Sequence, residues 1–148
     1  MTVKASSGLR DKLAVTGSLK ATMDLGFIRI YSGITPNTAD DALGAAVLLC
    51  IVSNNSTATG LTFATTTASA GVAQKTLAEV WSGVNVVSGT AAFYRQVAVG
   101  DDGTLSTTQA RIQGAVGVSG AELNLSSTAL VGGATQAVDF YNVAIPTL

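Results

Sequence analysis

The sequence predicts an all-β fold: an antiparallel β-sandwich, jelly-roll-like in topology, with a short helical or arm-like N-terminal segment. Three observations carry that expectation. From Gly26 onward the text alternates with period two, as in "FIRIYSG", "AAFYRQVAVG" and "RIQGAVGVSG". Clusters of Gly, Asn, Asp and Ser break the alternation at short intervals and leave about eight to ten short strands. No stretch repeats at a fixed period, which argues against a solenoid or a propeller. Alternating strands bury one face, and two antiparallel sheets packed face to face satisfy them. Many strands joined by some long connections favour a jelly roll among the sandwiches.

Two regions follow: residues 1–25 as an arm with short helices, and residues 26–148 as the sandwich domain. In the first, Ser7 is placed to cap a short helix with Leu9 and Leu13 on one face. Ser18 is placed to cap a second turn through Leu19 and Met23 that stops at Gly26. This segment lies outside the alternating pattern, so the β core is not expected to need it. In the second region, "FIRIYSG" puts Ile28 and Ile30 on one face and Phe27, Arg29 and Tyr31 on the other. Thr38 is placed to cap one helical turn over Ala39 to Leu43. "AVLLCIVS" is continuous and rich in β-branched residues, as a central strand is. "LTFAT" reads as a strand, and "GVAQKTLAEVWSGVNVVSG" as three or so short strands. "DDGTLSTTQ" is a polar loop with a strong Asp102-Gly103 turn signal. Leu123 and Leu125 face inward with Asn124 outward, and "TQAVDFYNVAIP" is one alternating run closed by Pro146. The expected core is Ile28, Ile30, Leu49, Ile51, Leu61, Phe63, Ile112, Val116, Leu123 and Leu125.

Composition limits what such a domain can do. The chain has 148 residues, enough for one core without metals or disulfides. It is 47% hydrophobic and only 11% charged, against about 25% charged in an average soluble domain. A net charge of -1 supplies no basic stripe for nucleic acid. The longest apolar run, "ALGAAVLLCIV", is too short to span a bilayer. The start "MTVKASSGLRDKL" has no signal-peptide h-region, so synthesis and folding in a cytoplasm are expected. There is no His, which removes the commonest general base, the Ser-His-Asp triad and His-containing metal sites. The single Cys50 sits in an apolar run and reads as a buried thiol. No cofactor and no metal are expected.

The remaining candidates carry two readings each. Asp40-Asp41 and Asp101-Asp102 are adjacent pairs, and adjacency in an extended chain does not make a catalytic dyad. "DDG" is either a polar turn or part of a weak calcium site. Trp81 and the pair Phe93-Tyr94 are either core anchors or platforms for sugar rings. Arg95 and Arg111, mid-strand, are either paired on the outer face or held in an intersubunit contact. Arg29, Trp81, Tyr94 and Arg95 are candidate contact residues, because Arg and aromatics dominate contact energetics. Arg10, Lys12 and Lys20 join them, since the N-terminal segment holds a large share of the basic residues.

The ordered set "GFIRIYSG", "TADDALG", "GLTFAT", "EVWSG" and "RIQGAVGVSGAELNLSS" resembles small virion structural proteins of tailed bacteriophages and prophages. Among these it is most similar to head cement, or decoration, proteins. The resemblance spans nearly the whole chain. It implies a protein with no catalytic residues, bound to the exterior of a capsid shell and bridging neighbouring capsomers. The implied partners are a phage major capsid protein and further copies of the chain, as a homodimer or homotrimer, without nucleic acid or membrane. A tail or head-to-tail component and a glycan-binding sandwich are the alternatives. A hydrolase is disfavoured by the missing His.

Overall fold

The computed structural model describes residues 3–67 and 69–145. The chain is all-β and antiparallel in nearly every pairing, with two short helices at its start. In order these are β1 (Lys4–Ala5), α1 (Ser7–Val15), α2 (Leu19–Met23), β2 (Phe27–Ser32), β3 (Val47–Asn54), β4 (Val72–Gln74) and β5 (Trp81–Val84). Then follow β6 (Gly89–Thr90), β7 (Phe93–Val97), β8 (Arg111–Gly117), β9 (Leu123–Asn124), β10 (Ala129–Leu130), β11 (Thr135–Ala137) and β12 (Asn142–Ala144). The principal sheet has the order β1-β8-β7-β2-β3-β5-β11, with β9 added to β8 in parallel. Two further antiparallel pairs, β10-β6 and β12-β4, complete the β structure. A sandwich of layers fits this arrangement. The order does not reproduce the two four-stranded sheets of a jelly roll. Among the described residues no helix is long and apolar enough to cross a membrane.

Register defines the two faces of the principal sheet. Ile28 pairs with Gln96 and Ile30 with Tyr94, and these in turn pair with Ile112 and Gly114. Cross-strand partners share a face, and this face carries the hydrophobic core. Leu61, Phe63, Trp81, Leu123, Leu125, Val138 and Tyr141 pack into the same cluster. Nine of the ten expected core residues are buried there. Ile51 is the exception, 40% exposed. It pairs with Arg29 and so points to the opposite face. A register shift between Ile30 and Tyr31 relaxes strict alternation in β3, which lets consecutive Leu49 and Cys50 both be buried.

The N-terminal helices are part of this core, which corrects the expectation of a dispensable arm. Leu9, Leu19 and Met23 are at most 3% exposed and belong to the one cluster. β1 pairs with β8, and the backbone of α1 approaches the 108–109 segment so closely that a Cβ on Gly8 would meet the Thr108 carbonyl group at 2.3 Å. The caps are Ser6, whose Oγ accepts from Leu9 N–H, and Ser18, whose Oγ accepts from Ala21 N–H. The first cap therefore lies one residue before the expected Ser7. Helical periodicity was legible, but a short amphipathic helix needs a surface to bury its stripe, and the open end of the sheet supplies it.

Other differences are local. No helix forms over Ala39 to Leu43. Instead Asp41 Oδ2 accepts from Thr38 N–H, and the nearby carbonyls turn toward side chains of the sheet. "LTFAT" makes only isolated bridges, Gly26 to Leu61 and Phe63 to Lys75. "TQAVDFYNVAIP" splits into β11 and β12, with buried Tyr141 between them and the core; Pro146 lies outside the described residues. Replacing Met23 with Ala should cost about 2–5 kcal/mol, as large-to-small core changes do. Urea unfolding measures it, and a loss within experimental error would return α2 to the surface.

Candidate interaction surface and the buried arginine layer

The second face of the principal sheet is the unusual one. Arg29, Arg95 and Gln113 pair directly across β2, β7 and β8, and Arg111 follows on the same face of β8. Period two places these side chains away from the hydrophobic core, as expected. Their exposure is the correction: Arg95 is 1% and Arg111 0% exposed. Two connections, residues 33–46 and 98–110, fold back over this half of the face. Their carbonyls accept what the sheet donates.

Arg111 anchors the layer. Its Nε and Nη2 donate to the two carboxylate oxygens of Asp101 at 2.6 and 2.8 Å. Nη2 also donates to Thr104 O, and Nη1 to Ala39 O and Asp40 O. Arg95 Nε donates to Gln113 Oε1 at 2.8 Å and Nη2 to Thr38 O at 3.2 Å. Gln113 Nε2 donates to Pro36 O. The carboxylate of Asp40 accepts both N–H and hydroxyl of Ser7, at the start of α1. Arg95 Nη1 has no hydrogen-bond partner. Burial, and then the charge of Arg111, depress the Arg95 pKa.

The candidate contact residues separate accordingly. Trp81, Tyr94 and Arg95, expected at outward or edge positions, are buried. Trp81 and Tyr94 are instead core anchors. Their ring centroids lie 5.7 and 5.8 Å from that of Tyr141, which joins them in one aromatic cluster with Phe63. Trp81 Nε1 donates to Glu79 Oε2, and Tyr141 hydroxyl donates to Gln96 Oε1. Burial raises the Tyr94 pKa to about 12 and that of Cys50 to about 11, so neither is poised to ionise near neutrality. Lys20 is engaged by Asp24 at 2.6 Å and by Phe63 O. Arg10 is exposed on α1, and Lys12 is half-buried. Arg29 is half-buried, donating from Nη2 to Asp101 O at 2.8 Å. Only Arg29 and Arg95 are brought side by side.

Asp101 is the residue that sequence reasoning missed. "DDG" reads as a solvated turn, and Gly103 N–H does close that turn onto Asp101 Oδ1. Yet Asp101 is only 4% exposed. The one available signal was that a mid-strand Arg flanked by buried positions needs an acid. Nothing in the sequence selects which of nine acidic residues supplies it. Asp102, by contrast, is exposed and accepts from Thr104. Among the described residues no group of three or more His, Cys, Asp or Glu is placed to hold a metal ion.

Beyond the covered half, the same face lies open. A groove over β2, β3 and β5 is lined by Phe27, Arg29, Ile51, Ser53, Ser56 and Val84. Through Arg29 and Ile51 it continues to Tyr31, Leu43, Leu48 and Asp102. Comparison of the chain with protein-family models, curated proteins and solved structures finds no match among any of them.

Two predictions follow from the buried groups. Asp101→Asn removes the countercharge of Arg111 and should destabilise by about 3–5 kcal/mol, the cost of orphaning one partner of a buried ion pair. Denaturant unfolding tests it, and a change under half that range would mean water replaces the carboxylate. The second concerns Glu79. Burial alone would raise its pKa, but hydrogen bonds from Thr62 and Trp81 and the charge of Lys75 outweigh burial and hold it below the ordinary glutamate value. A depressed carboxyl stabilises fully above its unfolded-state pKa and loses that effect as pH falls through the folded-state value. Melting temperatures of the native chain and Glu79→Gln should differ at neutral pH and converge in acid. A gap independent of pH would assign the effect to packing.

Proposed function

We propose that the chain is a structural protein of a tailed-phage virion that binds the outside of the capsid shell and bridges neighbouring capsomers. The ordered sequence segments supply the resemblance. The observation that carries the reading physically is the surface. With 11% charged residues in the chain, large apolar side chains stand exposed across it, Ile34 at 90% and Phe140 at 81% among them. Charge-poor, aliphatic surface is an association liability for a free monomer. It suits a protein covered on several sides by other subunits.

Bridging would act through avidity. Each copy that touches two capsomers makes their separation depend on several contacts breaking together. Because α1 and α2 are packed into the core, the bridging surface in this reading is the rigid body of the domain, not a free N-terminal arm. A rigid clamp loses little conformational entropy on binding. The reading assigns no catalytic residue and no cofactor.

Quantitative mass spectrometry of purified virions, with reconstruction of the particle, tests this proposal. The expected result is a copy number that scales with the major capsid protein and density on the shell exterior. Virions lacking the chain should release DNA at lower temperature than those carrying it. A few copies at one vertex or along the tail would instead make it a tail or head-to-tail component. Saturable binding to a host glycan, with no shell occupancy, would make it a carbohydrate-binding domain.

A further inference from the structure

We propose that the open groove over β2, β3 and β5 docks an extended segment of a partner polypeptide, one that places an acidic side chain beside Arg29 and aliphatic side chains over Ile51 and Val84. The proposal stands on the groove alone and does not require the capsid reading.

The floor is apolar and uncovered. Ile51 is 40% and Val84 49% exposed, and both lie on the face that carries Arg29. Isoleucine and valine on the outer face of interior strands, beside half-buried Phe27, leave apolar area in water that a docked chain would remove. Ser56 edges the groove in the open, its hydroxyl shared with Ser82 at 2.8 Å, while Ser53 lies buried beneath it.

Charge says what the occupant brings. Arg29 and Arg95 are direct cross-strand partners, a like-charge pairing that is unfavourable unless countered. Arg111 adds a third guanidinium on the same face. Asp101 is the buried acid of this layer, and Arg111 and the Gly103 N–H take its carboxylate oxygens. Arg29 is held by neutral acceptors, the main-chain carbonyl of Asp101 and the side chain of Tyr31. Among the described residues no carboxylate is hydrogen-bonded to Arg29, and the Nη1 donor of its neighbour Arg95 has no acceptor. Asp102 reaches the rim, but its Oδ1 is turned to the N–H and hydroxyl of Thr104. The acids of this region, Asp41, Asp101 and Asp102, are thus each turned to another partner, and none grips the guanidinium where the groove opens onto Arg29. A carboxylate suits a guanidinium fork, which can hold it through two parallel hydrogen bonds. A nucleic acid would need several exposed cations in a row, and the groove presents one.

The test is selection of a random peptide library on the immobilised full chain, followed by fluorescence anisotropy with a labelled peptide of the enriched sequence. Enriched peptides should carry Asp or Glu within an aliphatic stretch. Arg29→Gln should weaken binding about tenfold or more, as loss of a desolvated charge-assisted pair does. Since Arg29 also holds Asp101 O, Ile51→Asp and Val84→Asp serve as independent variants at exposed positions, and both should abolish binding with the melting temperature kept. Arg10→Gln, on exposed α1, should bind as the native chain does. Enrichment of peptides without acids, no enrichment at all, or binding indifferent to Arg29→Gln and Ile51→Asp would overturn the proposal. So would concentration-dependent self-association in sedimentation velocity that Ile51→Asp abolishes, since the occupant would then be a second copy of this chain. Finding the chain away from the shell would sink the capsid reading and leave the groove standing; failure of the peptide test would do the reverse.

Discussion

The buried ion pair between Arg111 and Asp101 is the constraint on which the second face of the sheet depends. Both side chains are fully removed from solvent. Taking such charges out of water costs several kcal/mol for each ion, which the mutual attraction recovers only when geometry and additional hydrogen bonds are complete. They are nearly complete here. Arg111 is bidentate to the carboxylate and spends its remaining donors on carbonyls of residues 39, 40 and 104. One side chain thus fixes the positions of both connections that cover β7 and β8.

The consequences spread outward from that pair. The 36–40 segment cannot be helical while its carbonyls face Arg95, Arg111 and Gln113. Held in that position, it presents Asp40 to Ser7 at the N-terminus of α1, where a carboxylate meets free backbone N–H and the positive end of the helix. Ser6 binds the same region from the other side, its hydroxyl donating to Gln109 O and accepting from Arg111 N–H. The helices, the two covering connections and the edge of the sheet are therefore one interlocked unit. The polar layer provides specificity of position, and the apolar cluster on the opposite face provides most of the driving force.

The covering also explains why the face is divided. Over β7 and β8 the guanidiniums are enclosed and, apart from Nη1 of Arg95, supplied with acceptors. Over β2, β3 and β5 the two connections reach only the rim, through Leu43 and Asp102, so Ile51 and Val84 stay open and Arg29 stands at the border between the two halves. A polar layer that ends at an apolar groove is a surface with direction, having one charged end and one greasy end. That says more about one partner than any single exposed side chain elsewhere, where only the charge-poor surface taken as a whole argues for association.

The amino-acid sequence by itself determined the β class, the short strands, two short N-terminal helices with the Ser18 cap of the second, and nearly all of the core. These are local properties: period two places Ile28, Ile30, Ile112 and Val116 on one face whatever the topology, and a serine before an apolar stripe caps a helix wherever it packs. Period two also put Arg95 and Arg111 on the face opposite the core, correctly. It could not say that this face is covered, because covering depends on connections distant in the chain, with residues 36 to 40 meeting residues 95 to 113. The same limit hid Asp101 in an ordinary turn sequence, left Trp81 and Tyr94 undecided between core and surface, and made the helices look separable. Alternation reports which side a residue is on. Only tertiary structure decides what stands on that side, because burial is set by the sum of long-range packing and not by neighbours in sequence.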